Sequence, residues 1–126
     1  MNRPVALNLE LIVTIVDGGN GGDVVDLTKE AGASGGTILH GRGSGVHDVG
    51  RFLGLEIEPE KDIVLTLVPE SLTNTMLKVI GDGLKIGQAG NGIAFVIDLA
   101  KVIGITKIDQ YSQVVELDDL LDENKA

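Results

Sequence analysis

Hydrophobic positions fall into short runs separated by glycine-rich polar stretches, and the spacing within each run predicts its element. Leu9–Val16 is rich in branched aliphatics with partial alternation, which predicts a strand. Asp17–Asn20 is turn-forming and opens a helix over 21–31, where Val24, Leu27, Thr28 and Ala31 share one face and Gly32 supplies a stop. Gly35–Leu39 leads into a second strand ending at His40 or Gly41. The same order then returns. Ile63–Val68 reads as a strand closed by Pro69, and Ser71 is placed to cap a helix with Leu72, Met76, Val79 and Ile80 as its apolar stripe. Gly81–Gly92 reads as a glycine-punctuated loop, and Ile93–Leu99 as a fourth strand.

Two successive strand–helix–strand units predict an α+β fold, a ferredoxin-like sandwich of split β-α-β units with an antiparallel sheet and helices on one face. A three-layer α/β fold would need more helices. Ile63–Val68 and Ile93–Leu99 are apolar at nearly every position, and such strands are ordinarily buried on both faces. The helices suffice for one face only. Another subunit is the expected cover for the other, in a compact homo-oligomer whose sheets pack together.

The chain has 126 residues, which predicts one domain, and lacks Cys, which excludes disulfides, thiolate metal sites and thiol catalysis. The formal charge is −9, of which residues 116–126 contribute −4. That balance repels a polyphosphate backbone or an anionic lipid surface, so no nucleic-acid partner is expected. No apolar run reaches the ~20 residues of a membrane span, and Met1–Val5 is not a secretory signal. The expectation is a cytoplasmic protein without direct membrane insertion.

Residues 43–60 form a long segment without a clear strand, and structureless loops beyond ~12–15 residues are ordinarily functional or disordered. Within it Val46, Val49, Phe52 and Leu53 are spaced like a short amphipathic helical turn. The segment is either a surface loop folded on its own side chains or a loop that responds to a ligand and docks a partner. Gly32–Gly45 is dense in glycine, which lets backbone approach a ligand closely, although neither a Walker loop nor a dinucleotide-binding spacing is present. Gly87–Gly92 is a tight turn or an anion-holding nest. His40, His47 and Asp48 invite a metal, but a structural zinc site needs four ligands, so none is expected. Glu56, Glu58, Glu60 and Asp62 read as solvated edge residues. No Ser/His/Asp arrangement has supporting spacing, so no catalytic residue is assigned and the chain is not expected to be an enzyme.

Three motifs in order, residues 35–43 (GGTILHGRG), 57–64 (IEPEKDIV) and 90–102 (GNGIAFVIDLAKV), resemble the P-II signalling proteins and more closely their P-II-like branch, over roughly residues 8–106. The resemblance implies a ferredoxin-like homotrimer that binds adenine nucleotides in clefts between subunits and docks on transporters, enzymes or transcription factors. It places a P-II-like domain at 8–110, the T-loop at 43–60, the B-loop at about 82–92 and the C-terminal loop after Lys101; residues 111–126 are a C-terminal segment whose acidic tail is expected to be mobile. Residue by residue, Gly41 and Gly43 match the glycines at the base of the T-loop, with Thr37 on the same strand. Leu67 matches the position whose backbone meets the adenine edge. Gly90, Asn91 and Gly92 match the B-loop amides that hold phosphates, and Lys61 matches a lysine that contacts 2-oxoglutarate in nitrogen sensors.

The departures narrow the expectation. The usual B-loop lysine is Ile93 here, and the two arginines that reach the phosphates fall at Gly104 and Thr106. Losing three cations removes charge-assisted binding, which disfavours ATP with Mg and leaves AMP, ADP, a cyclic nucleotide or another adenosine ligand. The glutamine after the T-loop glycines is missing, and Tyr111 lies far from the T-loop, which excludes uridylylation there. The reading is a P-II-like regulator, with Arg42, Arg51 and Phe52 as the partner-docking residues and a membrane transporter as the leading partner class. The alternatives are a trimer of the same fold binding a metal or a non-nucleotide metabolite, and a slow nucleotide phosphohydrolase.

Overall fold

Alternation along three long strands decides the architecture. The computed structural model describes residues 3–43, 50–52, 55–57, 59–88, 91–105 and 111–123. In chain order the strands and helices are β1 (Pro4–Ala6), β2 (Leu9–Asp17), α1 (Gly21–Glu30), β3 (Thr37–Arg42), β4 (Gly50–Phe52), β5 (Leu55–Ile57), β6 (Glu60–Pro69), α2 (Thr73–Gly83), β7 (Ile93–Leu99), β8 (Val102–Ile103), β9 (Val114–Glu116) and α3 (Leu117–Glu123). The main sheet runs β3-β6-β2-β7 with every neighbouring pair antiparallel, the order of a ferredoxin-like sandwich.

Successive strand residues point to opposite faces. Ile12 and Val16 of β2 and Val64 and Val68 of β6 therefore meet Val24 of α1 and Met76 and Ile80 of α2 in a core closed to solvent. The intervening residues form three apolar rows across β6, β2 and β7: Ile63–Ile15–Ile93, Leu65–Val13–Phe95 and Leu67–Leu11–Ile97. This second face stays open, with Ile93 56%, Ile97 46% and Phe95 41% exposed.

Several expectations need correction. Ser71 does not cap α2. A 3-10 turn, Glu70–Leu72, comes first, and Leu72 stands at the cap without a side-chain bond. The Glu70 N–H is held by the Asn8 carbonyl at 3.0 Å, which fixes the chain before the helix can begin. α2 runs through Gly81 to Gly83, so the loop begins at Leu84. Gly83 is not a breaker there: a Cβ would stand 2.6 Å from Leu27 Cδ1, and its bare backbone lets α1 and α2 close together.

The 43–60 segment is not strandless, because β4 and β5 pair as an antiparallel hairpin and β6 begins at Glu60. Phe52 lies opposite Leu55 in that ladder rather than in a helical turn; Val46, Val49 and Leu53 lie outside the described residues. The acidic tail is built as far as Glu123. β9 joins β1 and β8 in a small antiparallel sheet and continues into α3. Arg3 fastens this addition, ion-pairing with Asp118 at 3.0 Å, while its carbonyl accepts the Leu117 N–H.

Candidate functional site

The loop root is assembled from the ends of three strands. Register sets Gly41 beside Lys61 and Lys61 beside Asp17. The Lys61 side chain, 12% exposed, reaches Asp17 with Nζ at 2.7 Å from its carboxylate. Gly43 leaves β3 with its N–H on the Pro59 carbonyl, so the two stems of the loop are tied at their base. Arg42, the last residue of β3, stands exposed at that root. Gly41, Arg42, Lys61 and Asp62, with His40 and the Gly18–Gly19 turn, border a groove of about 540 Å³.

Asp62 organises the floor of this groove, and it is not the solvated edge residue its neighbours suggest. Its side chain is buried on the helix-bearing face of β6. Oδ2 accepts the N–H groups of Gly19 and Gly21, at 3.0 and 2.9 Å, where α1 begins. Asn20, at the cap position, makes no side-chain bond, so a carboxylate from another strand does the capping. The Gly21 N–H above all, then the His40 and Gly19 bonds, hold the Asp62 carboxyl below its ordinary value against the opposing effect of burial. As a carboxylate it accepts, so the His40 Nδ1–H, 3.0 Å from Oδ1, donates. The His40 ring is otherwise open to solvent.

Across β2, the loop entering β7 lies at the same end of the sheet. Gly92 has φ +122°, and a Cβ there would meet the Ile15 carbonyl oxygen at 2.7 Å, so glycine is required twice over. Asn91 braces the loop: its Nδ2 donates to the carbonyls of Leu84 and Lys85, at 3.4 and 3.2 Å, and its own N–H donates to the Gln88 carbonyl. Gly90 and His47 lie outside the described residues.

Thr37 and Leu67 sit elsewhere. Thr37 precedes Gly41 by four strand residues, roughly 13 Å at ~3.3 Å per residue. Thr37 and Leu67 border a separate notch with Gly35, Gly36, Leu65 and Gly104. One chain thus brings Gly41, Arg42, Gly43 and Lys61 together, sets Asn91 and Gly92 along the same sheet end, and holds Thr37 and Leu67 apart. Arg51 and Phe52 fall in β4 of the hairpin. Gly104 has φ +104°, which a side chain would strain, so an arginine does not suit that position. Among the described residues no three His, Asp or Glu side chains gather as metal ligands, and no helix is long and apolar enough to cross a membrane.

Sequence reasoning missed Asp62 and Tyr111. Asp62 is disclosed only by the register that puts it beside His40. Tyr111 lines the notch shared by Thr37 and Leu67, and its one signal was being the chain's sole tyrosine.

The chain is a ferredoxin-like sandwich with the loop root and the Gly92 loop at one end of its main sheet. Residues 9–108 match the family model described as nitrogen regulatory protein P-II, and the chain belongs to that family of signal transduction regulators. Among curated proteins none matches the chain.

Proposed function

We propose that three copies of this chain assemble through their open sheet faces and bind an adenine nucleotide in the seams between them. In this reading Gly41, Gly43, Lys61, Gly90, Asn91 and Gly92 serve the phosphate end, and Thr37 and Leu67 receive the adenosine. The effector changes the order of loop 43–60, which carries Arg51 and Phe52, with Arg42 at its root, to a partner protein, with a membrane transporter as the leading class. The observation that supports this most is the division of these residues between two places on a chain whose intervening sheet face is apolar and bare. A contiguous apolar face of this kind ordinarily marks an interface. Assembly brings one copy's loop root toward a neighbour's notch.

Calorimetry with AMP, ADP, ATP and cyclic dinucleotides tests the ligand. Saturable binding of an adenosine compound, weakened severalfold in Lys61→Ala, supports the reading; no heat with any of them overturns it. Gly92 is a poor probe, because any side chain there strains the backbone and collides with β2. The switch needs different ligand affinities for the two loop states. Trypsin cleavage after Arg42 and Arg51 should therefore change rate severalfold on adding the nucleotide. An unchanged rate at saturation would rule out the switch.

A further inference from the structure

Tyr111 lies in the segment between β8 and β9, and the residues after it fix its place. The Ser112 hydroxyl accepts from Asn8 Nδ2 at 2.8 Å, and the Gln113 carbonyl accepts the Leu7 N–H at 2.9 Å. From Val114 the chain is in the β9 ladder against β1. The ring is thereby held at a notch of about 440 Å³, within the range of small-molecule sites. Leu65 and Leu67 supply an apolar wall, Gly35 and Gly104 leave their sides open, and Thr37 offers a hydroxyl. Among the described residues no charged side chain borders this notch, whereas the loop-root groove is bordered by His40, Arg42, Glu60, Lys61 and Asp62. Aromatic side chains are scarce in this chain, one Tyr and two Phe, which makes one at a polar-rimmed apolar slot informative.

We infer that Tyr111 is the stacking platform for the purine ring of the effector, a recognition residue contributed by the C-terminal segment. The inference rests on the nucleotide reading above and adds the residue that holds the base. An uncharged heteroaromatic ring matches a slot whose described lining is uncharged and holds an aromatic residue, while the phosphates match the cations of the loop-root groove. Stacking of a base on an aromatic side chain is sequence-tolerant and ordinarily contributes ~1–3 kcal/mol. The C-terminal segment is then a working part of the ligand site.

The chain contains no Trp, so tyrosine emission reports on Tyr111 alone. Full-length protein is titrated with AMP and with ribose 5-phosphate, which lacks the ring, and emission is corrected for ligand absorption against free N-acetyltyrosinamide. AMP should quench the emission saturably and ribose 5-phosphate should not. By calorimetry Tyr111→Phe should bind AMP within twofold of wild type. Tyr111→Leu, which keeps apolar bulk without the aromatic face, should bind roughly tenfold more weakly, a difference of about 1.4 kcal/mol. Unchanged circular dichroism confirms that each variant folds. AMP binding to wild type with unaltered emission, or with undiminished affinity in Tyr111→Leu, overturns the stacking role and leaves the nucleotide reading standing. Absence of AMP binding to wild type, with other adenosine nucleotides equally silent, overturns the nucleotide reading itself.

Discussion

Asp62 sits where three donors converge, the N–H groups of Gly19 and Gly21 and the His40 ring, and its ionisation is therefore tied to folding. Its carboxyl is held below the ordinary value of 3.8, so its stabilisation is complete above that value and lost as pH falls through the lower folded one. Asp62→Asn should be less stable than wild type at neutral pH, and the gap should close on acidification; urea midpoints between about pH 7 and pH 3 measure it. Glu10 has the opposite sign. Its hydrogen bond with Asp98 raises it above its ordinary 4.5, so that pairing stabilises in acid and is lost as pH rises through the folded value. Glu10→Gln should therefore raise the melting temperature at neutral pH, with the advantage shrinking toward acid. Thr66 is fully buried with its hydroxyl unpartnered, so Thr66→Val should raise stability by about 1 kcal/mol in urea unfolding. None of these roles is legible from spacing alone. Composition shows a His and an Asp, but the antiparallel register of β3 on β6 is what makes them neighbours.

Glycine is ambiguous in sequence because one residue type serves turns, close packing and open helix surface. Gly81 and Gly83 both read as loop signals and both lie in α2. A Cβ at Gly81 meets nothing within 4 Å, so Gly81→Ala should stabilise by about 1 kcal/mol through helix propensity. At Gly83 the same gain is opposed by a collision with Leu27 at 2.6 Å, and overpacking costs about 1–3 kcal/mol, so Gly83→Ala should be net destabilising. Urea unfolding of the pair separates the two cases. The strands of the main sheet were far more legible. Branched runs mark β2, β6 and β7 by themselves, and Ile93–Leu99 has the bounds its pattern predicts. β1, β8 and β9 escaped because strands of two or three residues carry no period, and their partners lie about a hundred residues away in the chain.

The main sheet offers one face to its helices and leaves rows of Ile, Leu, Val and Phe on the other. That imbalance was visible in the sequence, because Ile63–Val68 and Ile93–Leu99 are apolar at nearly every position while the helices are too few to cover both sides. The division of the ligand residues was not visible, since motif order says nothing about which strand end each one reaches. Placing a charge on the bare face, as Ile97→Glu in the edge strand β7, should disperse the assembly while leaving the helix-side core intact. Circular dichroism would show the fold retained as the mass falls. Assembly itself is decided by sedimentation velocity on wild-type protein at micromolar concentration. A single species of three times the 13.2 kDa chain mass is expected, and a boundary at 13.2 kDa would contradict the shared-seam site and the switch built upon it.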